Sequence, residues 1–282
     1  MARIIQASQI SEIVEKLLLE CNYYIGEDIE KAFQKALKSE TSEREKVVIE
    51  QLLKNSEIAA QKQVPICQDT GMAVVFVEYG QDVLVEGKPF KQAIEDGVRK
   101  AYIDGYLRKS VVSDPVFDRK NTEDNTPAVI YTDIVEGDQI SFLVGAKGFG
   151  SENMSAVKML SPGDGVEGVK NAVLDIVRYA GPNPCPPIVV GVGIGGTFDK
   201  AAQLAKKASF KSIDEKHPDE RYAKLEEELL EEINKMGIGA AGMGGKTTAL
   251  GVNIETFPTH IAGMPVAVNI CCHAARHASA AL

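Results

Sequence analysis

For about its first sixty residues this chain is patterned as helix. From Ala73 onward, strand-like and helix-like runs alternate, and that change of pattern constrains the fold more than any other feature. Ile10, Ile13, Val14, Leu17 and Leu18 recur at helical spacing over residues 8–20, and Cys21 continues the stripe as a core thiol. Helical patterning returns over about 28–38 and 43–61 with charges on the outer face. Ala73–Tyr79 is then β-branched and aromatic, and residues 92–107 read as a helix. Ala128–Val135 and Gln139–Gly145 read as two strands joined at the turn Glu136-Gly137-Asp138. Helices are expected over Gly165–Ala180, 198–208 and 218–236, a buried strand over Ile188–Val192, and strands over 248–256 and 264–271. The expectation is an α/β fold: a single domain, residues 1–282, with mixed β-sheet layers packed by helices. Within it, 1–62 forms an N-terminal helical layer and 63–282 an α/β core. No internal repeat or low-complexity tract interrupts it.

Of the 282 residues, 44% are hydrophobic and 25% charged, a balance that fits a globular chain. The net charge of −9, without basic runs interleaved with aromatics, argues against nucleic acid as a partner. Met1-Ala2-Arg3 leads straight into a charged amphipathic segment rather than a secretory apolar region, and Ile261–Cys272 is too short to cross a bilayer. No membrane association is expected. Five cysteines in such a chain point to reduced thiols in a cytoplasm rather than to disulfides.

Two glycine-rich stretches imitate nucleotide motifs. Gly191-Val192-Gly193-Ile194-Gly195-Gly196 lies between a strand and a helix, as a dinucleotide-binding turn does, but an acidic residue some twenty positions on is met only loosely by Asp214 or Glu215. The plainer reading is a turn that lets backbone approach closely. Ala240-Ala241-Gly242-Met243-Gly244-Gly245-Lys246-Thr247 resembles a phosphate-cradling loop without its opening glycine, since Gly239 stands one place too early. Lys246 is left either as an anion contact or as a solvated lysine. A nucleotide-binding regulatory module is thus the alternative function of another class, and a cysteine-rich zinc scaffold a third. His273 and His277 with Cys271 and Cys272 crowd too closely for good tetrahedral geometry.

The cysteines carry more. Cys67 stands in the polar turn Ile66-Cys67-Gln68-Asp69-Thr70-Gly71, Cys185 among prolines in Pro184-Cys185-Pro186-Pro187, and Cys272 in Cys271-Cys272-His273-Ala274-Ala275-Arg276. Three thiolates from three distant loops are one short of a four-cysteine site. An iron–sulfur cube held so has one iron open to substrate and acts as a Lewis acid. Pro186 and Pro187 stiffen the loop presenting Cys185. Asp69, two residues after Cys67, is either a proton-transfer group or a turn aspartate capping backbone amides. Arg108 suits a carboxylate, or else a helix C-terminus.

Cys67-Gln68-Asp69-Thr70-Gly71, Lys147-Gly148-Phe149-Gly150-Ser151-Glu152-Asn153, Cys185-Pro186-Pro187 with Gly191-Val192-Gly193, and Cys272-His273-Ala274-Ala275-Arg276 recur in one order. With them the chain resembles the iron–sulfur class I fumarases and the related L(+)-tartrate dehydratases, from about residue 8 onward. Members of that group come as one long chain or as separate α and β subunits, and this chain resembles the α part. The resemblance implies a [4Fe–4S] cluster on Cys67, Cys185 and Cys272, with His273 where the family carries tryptophan, a departure that bears on the choice between Cys271 and Cys272. It implies a tricarboxylic acid cycle hydro-lyase, reversibly hydrating fumarate to L-malate, with L(+)-tartrate dehydration as the alternative. Asp69 is implied as the catalytic acid–base group. Gln68, Arg108, Gly150 and Ser151 are implied as substrate contacts, and a β subunit as partner in an α2β2 assembly. Arg276 is left as a further anion contact or as a clamp on the cluster loop.

Overall fold

The computed structural model describes residues 2–282. In chain order its elements begin with β1 (Arg3–Gln6), α1 (Ala7–Tyr23), α2 (Glu27–Ser39), α3 (Glu43–Lys62), β2 (Met72–Gly80), β3 (Val83–Glu86), α4 (Phe90–Asp104), β4 (Val129–Val135) and β5 (Ile140–Lys147). They continue with α5 (Phe149–Glu152), β6 (Ala156–Leu160), α6 (Gly165–Ala180), β7 (Ile188–Gly195), α7 (Phe198–Ala208), α8 (Glu220–Lys235), β8 (Ala249–Phe257), β9 (Met264–Cys271) and β10 (His277–Ala281). The class is mixed α/β, as expected. The chain divides into two compact units: residues 1–25, 58–149 and 276–282 form the first, residues 26–57 and 150–275 the second. The helical first sixty residues are therefore shared, α1 belonging to the first unit and α2 to the second.

In the first unit, β10, β5, β2 and β4 form one sheet in that order. β10–β5 and β5–β2 are antiparallel and β2–β4 is parallel. A short parallel pair, β1–β3, stands beside it in sequence. The stripe on α1 does what its spacing demands: Ile10, Val14, Leu17, Leu18 and Cys21 are all buried with Val75, Val77, Ile94, Val98 and Phe142. Each large apolar side chain taken fully out of water there stabilises the fold by about 1.5–3 kcal/mol. Burial pushes the Cys21 thiol up to about 12, against a smaller opposing effect of Arg276, so Cys21 is a core residue rather than a reactive one.

In the second unit the order is β6-β9-β7-β8, with β6–β9 and β9–β7 antiparallel and β7–β8 parallel. β7 is buried along its whole length, which is why it reads as an unbroken apolar run. Ile188, Val190, Val192 and Ile194 face α6 and α8. On the opposite face a methyl group at Gly191 or Gly193 would collide with the carbonyl oxygens of Ala205 or Ala201 in α7. These glycines seat a helix flush on a strand, the plainer of the two readings of that motif.

Four short strands escaped the sequence patterning. β1, β3 and β6 run to only four or five residues, and β10, His277-Ala278-Ser279-Ala280-Ala281, has little intrinsic strand preference. β10 is a strand because β5 pairs with it, from His277↔Gly145 to Ala281↔Ser141.

Candidate active site

The first unit gathers Cys67, Gln68, Asp69 and Arg108 around one turn. The Cys67 Sγ lies 3.3 Å from Gln68 Oε1. Thr70 donates from Oγ1 to the Arg108 carbonyl at 3.1 Å, which ties the Arg108 main chain to the turn while its side chain stays exposed. Below the turn, Tyr102, fully buried at the end of α4, reaches the Thr70 and Gly71 carbonyls at 2.8 and 2.9 Å. Its phenol is raised well above the ordinary range, chiefly by burial. The buried Asn125 donates to the Gly71 carbonyl at 3.1 Å and accepts from the Ser110 and Val111 amides at 2.7 and 3.2 Å. Asn125 thus links the Cys67 turn to the segment after Arg108, and nothing in its polar loop sequence marked it for that.

Asp69 uses both carboxylate oxygens on backbone. Oδ1 accepts from the Gly71 amide and Oδ2 from the Phe149 amide, each at 2.9 Å. This is amide capping, and it also spans from the Cys67 turn to the first residue after Gly148. Arg276, 2% exposed, donates from Nη1 to the Asp69 carbonyl and to Asn22 Oδ1, while its buried Nε has no partner. Of the two roles open to Arg276, the geometry matches the clamp. Lys147, also buried, donates from Nζ to the Gly148 carbonyl at 3.0 Å.

The second unit carries Cys185, Cys272, Gly150 and Ser151. Cys185 is exposed and adopts φ +55°, a left-handed conformation that non-glycine residues seldom take without surrounding support. His273 supplies part of that support: its amide donates to the Cys185 carbonyl at 3.3 Å, and its Nδ1 lies 3.1 Å from the same oxygen. His273 therefore ties the Cys185 loop to the segment beginning at Cys272. Cys271 closes β9 with a buried side chain, opposite Val189, whereas Cys272 is half-buried. Gly150 is exposed and Ser151 buried. Their short helix is fixed by Glu152, which accepts from Lys206 and from Asn269 Nδ2, and Asn269 also donates to Ser155 Oγ at 3.2 Å.

Of the five thiols, none in a disulfide, Cys21 and Cys271 are core residues, and Cys67, Cys185 and Cys272 sit on turns with solvent access. That donor set fits a thiolate-bound iron centre chemically. Among the described residues no group of three or more His, Cys, Asp or Glu side chains stands together as a metal site. The structure joins Cys185 to the Cys272 segment within the second unit, and Cys67 belongs to the first. No helix among the described residues is long and apolar enough to cross a membrane.

The first unit thus carries a thiol-bearing turn capped by an aspartate, and the second a glycine–serine loop and two further presented thiols. Residues 11–281 match the family described as Fumarate hydratase (Fumerase), and the chain belongs to that family. It is 45% identical, over 96% of both chains, to a Methanocaldococcus jannaschii protein provisionally named L(+)-tartrate dehydratase subunit alpha. It is 32% identical to the L(+)-tartrate dehydratase subunit alpha of Escherichia coli O157:H7, over 95% of this chain and 89% of that one. The K12 protein of the same name is 31% identical over the same shares. The enzyme class defined by these relationships is hydro-lyase.

Proposed function

We propose that this chain is the α subunit of a [4Fe–4S]-dependent hydro-lyase that interconverts fumarate and L-malate with a β subunit in an α2β2 assembly. The single observation that carries the reading is the division of the thiols: Cys67, Cys185 and Cys272 are presented on turns, and the other two are packed away. Those three would hold the cluster. When bound, the cluster supplies a Lewis-acidic iron for substrate oxygen atoms. A reducing compartment such as the cytoplasm suits this chemistry.

The remaining residues handle a small dianion. Arg108 offers an exposed guanidinium fork for one carboxylate, and Gln68 can donate to another oxygen beside it. Gly150 presents unobstructed backbone and Ser151 a hydroxyl on the loop braced by Glu152. Asp69 moves the proton at the carbon next to the carboxylate. Its two amide bonds fix its orientation, and each oxygen keeps a further lone pair for proton exchange.

The names of the relatives favour a second reading, in which L(+)-tartrate loses water to give the enol of oxaloacetate. One experiment addresses both. The chain, purified anaerobically with its β partner, is assayed for L-malate from fumarate and for oxaloacetate from L(+)-tartrate, with iron and sulfide measured in parallel. Fumarate hydration, air-bleached visible colour and loss of cluster in Cys67→Ala are the expected results. Normal cluster content in Cys67→Ala would refute the ligand assignment, and oxaloacetate formation without malate would transfer the substrate to tartrate.

A further inference from the structure

The loop that imitates a phosphate cradle already holds an anion of its own. Glu45, fully buried in α3, accepts the amides of Ala240 at 2.9 Å and Thr247 at 3.2 Å on Oε1. Glu40, at the end of α2, accepts the Lys246 amide on Oε2 at 2.8 Å and the Thr41 and Ser42 amides on Oε1 at 2.7 and 2.8 Å. Backbone N–H groups from both ends of a glycine-rich loop point at carboxylates instead of phosphate. Gly245 is needed there, because a methyl group on it would overlap Oε2 of Glu45.

The same loop is the seat of Cys185. Ala241, at φ +51°, donates its amide to the Pro186 carbonyl at 2.7 Å. Gly242 lies so close to Pro182 that a side chain would collide with its ring. Ile188 donates to the Thr248 carbonyl at 2.9 Å. The chain on both sides of Cys185 thus rests on residues 241–248, and His273 holds its carbonyl from the other direction.

We propose that the buried Glu40–Glu45 pair positions the Cys185 thiol by holding the glycine loop in the shape that offers the Ala241 amide to Pro186. The inference rests on the reading of Cys185 as a cluster ligand. The two carboxyl groups lie close enough to perturb each other's ionisation. Two adjacent buried carboxylates cannot both ionise cheaply, so they share one proton. Glu45 Oε2 is buried without a hydrogen-bond partner, and a shared proton there would satisfy it. Burial first, then the neighbouring Glu40 carboxyl, push Glu45 up to about 7. Burial acts upward on Glu40 as well, but the neighbouring Glu45 carboxyl and the hydrogen bonds from the Ser42, Lys246 and Thr41 amides outweigh it and hold Glu40 down to about 2. The charged neighbours are Lys46 on α3, paired with Glu43 at 2.7 Å, and Lys246 on the loop, whose Nζ is 3.5 Å from the Ser39 carbonyl.

The test compares thiols within one chain. The full-length protein, stripped of metal by a chelator, is treated with iodoacetamide, and labelling of Cys185 and Cys67 is followed by mass spectrometry. Glu45→Ala should raise the Cys185 rate relative to Cys67 by about threefold or more, as the loop opens locally. Glu45→Gln keeps the Oε1 acceptor and replaces the shared proton with an amide donor, so its ratio should match wild type. In cluster-loaded protein, Glu45→Ala should lose iron and sulfide on gel filtration while Glu45→Gln retains them. If Glu45→Ala is folded and its labelling ratio is unchanged, the proposal is overturned. If that variant is insoluble, Glu40→Ala, which removes one loop contact, decides by the same ratio. The labelling needs no cluster, so a colourless wild-type protein would remove the reading of the site without touching this test.

Discussion

The two four-stranded sheets share one pairing pattern. In each, a central strand has an antiparallel neighbour on one side and a parallel edge strand on the other, and the antiparallel neighbour carries a further antiparallel strand. The central strands β2 and β7 are each preceded by a presented thiol, Cys67 or Cys185. Antiparallel pairing sets the start of each beside the end of its neighbour: β5 ends at Lys147, just before Gly148, whereas β9 ends at Cys271, just before Cys272. The two thiol turns are held by opposite chemistry. Permanent charge secures the Cys67 turn, through the buried Arg276 under the Asp69 carbonyl and through Asp69 on two amides. A buried acid pair carrying one proton secures the Cys185 loop. Fixed charge and shared proton should therefore fail under different perturbations.

Arg276→Ala should break the first arrangement with the largest effect. It leaves the Asp69 carbonyl and the Asn22 side chain without a buried donor. Hydrogen bonds to charged groups contribute about 1.5–3 kcal/mol each, so a stability loss of about 3 kcal/mol is expected in urea unfolding. Cys67 should label faster in the unfrozen turn and Cys185 at its wild-type rate. Equal acceleration of both thiols would show that the turns are not separately anchored.

Arg108→Ala separates binding from anchoring in the same unit. The side chain is exposed, and the structure ties down only its main chain, through Thr70. Stability should change by no more than about 0.5 kcal/mol. KM for the dicarboxylate should rise by about tenfold to a hundredfold, the loss of one charge-assisted pair. An unchanged KM would remove Arg108 from the site.

Much of this contrast was legible in sequence, and the remainder has physical reasons for being hidden. The apolar stripe of α1 and the fully buried run of β7 declared themselves because their periodicity is set by local geometry. Cys67, Gln68 and Asp69 are neighbours in sequence, but that Thr70 ties the Arg108 main chain to their turn was not readable from it. The anchors were silent. Glu45 sits in a charged helix where its neighbours Glu43 and Lys46 are solvated, and nothing local marks it as the buried one. Its partners Ala240 and Thr247 lie about two hundred residues away, and only tertiary structure brings such amides to it. Arg276 could be read either way until its burial was known. The two glycine motifs misled because close helix packing, carboxylate wrapping and phosphate binding all ask for the same freedom from side chains.

The mildest perturbation is pH, and it acts on the second arrangement. Glu45, raised from an ordinary 4.5 to about 7, keeps a proton across that interval which the unfolded chain has released. Its contribution is complete below pH 4.5 and is lost as pH rises through 7. Glu40 is displaced the other way, to about 2, so its contribution is present above 4.5 and is lost as pH falls toward 2. The pair thus favours the folded state most between those limits, where it holds one proton. Urea midpoints of wild type and Glu45→Gln, compared at about pH 5 and about pH 8, isolate the proton from every other titrating group. Wild type should lose more stability across that interval than the variant, because glutamine has nothing to release. Parallel behaviour of the two proteins would mean that no proton is shared, and the contrast between a charge-held turn and a proton-held loop would fall with it.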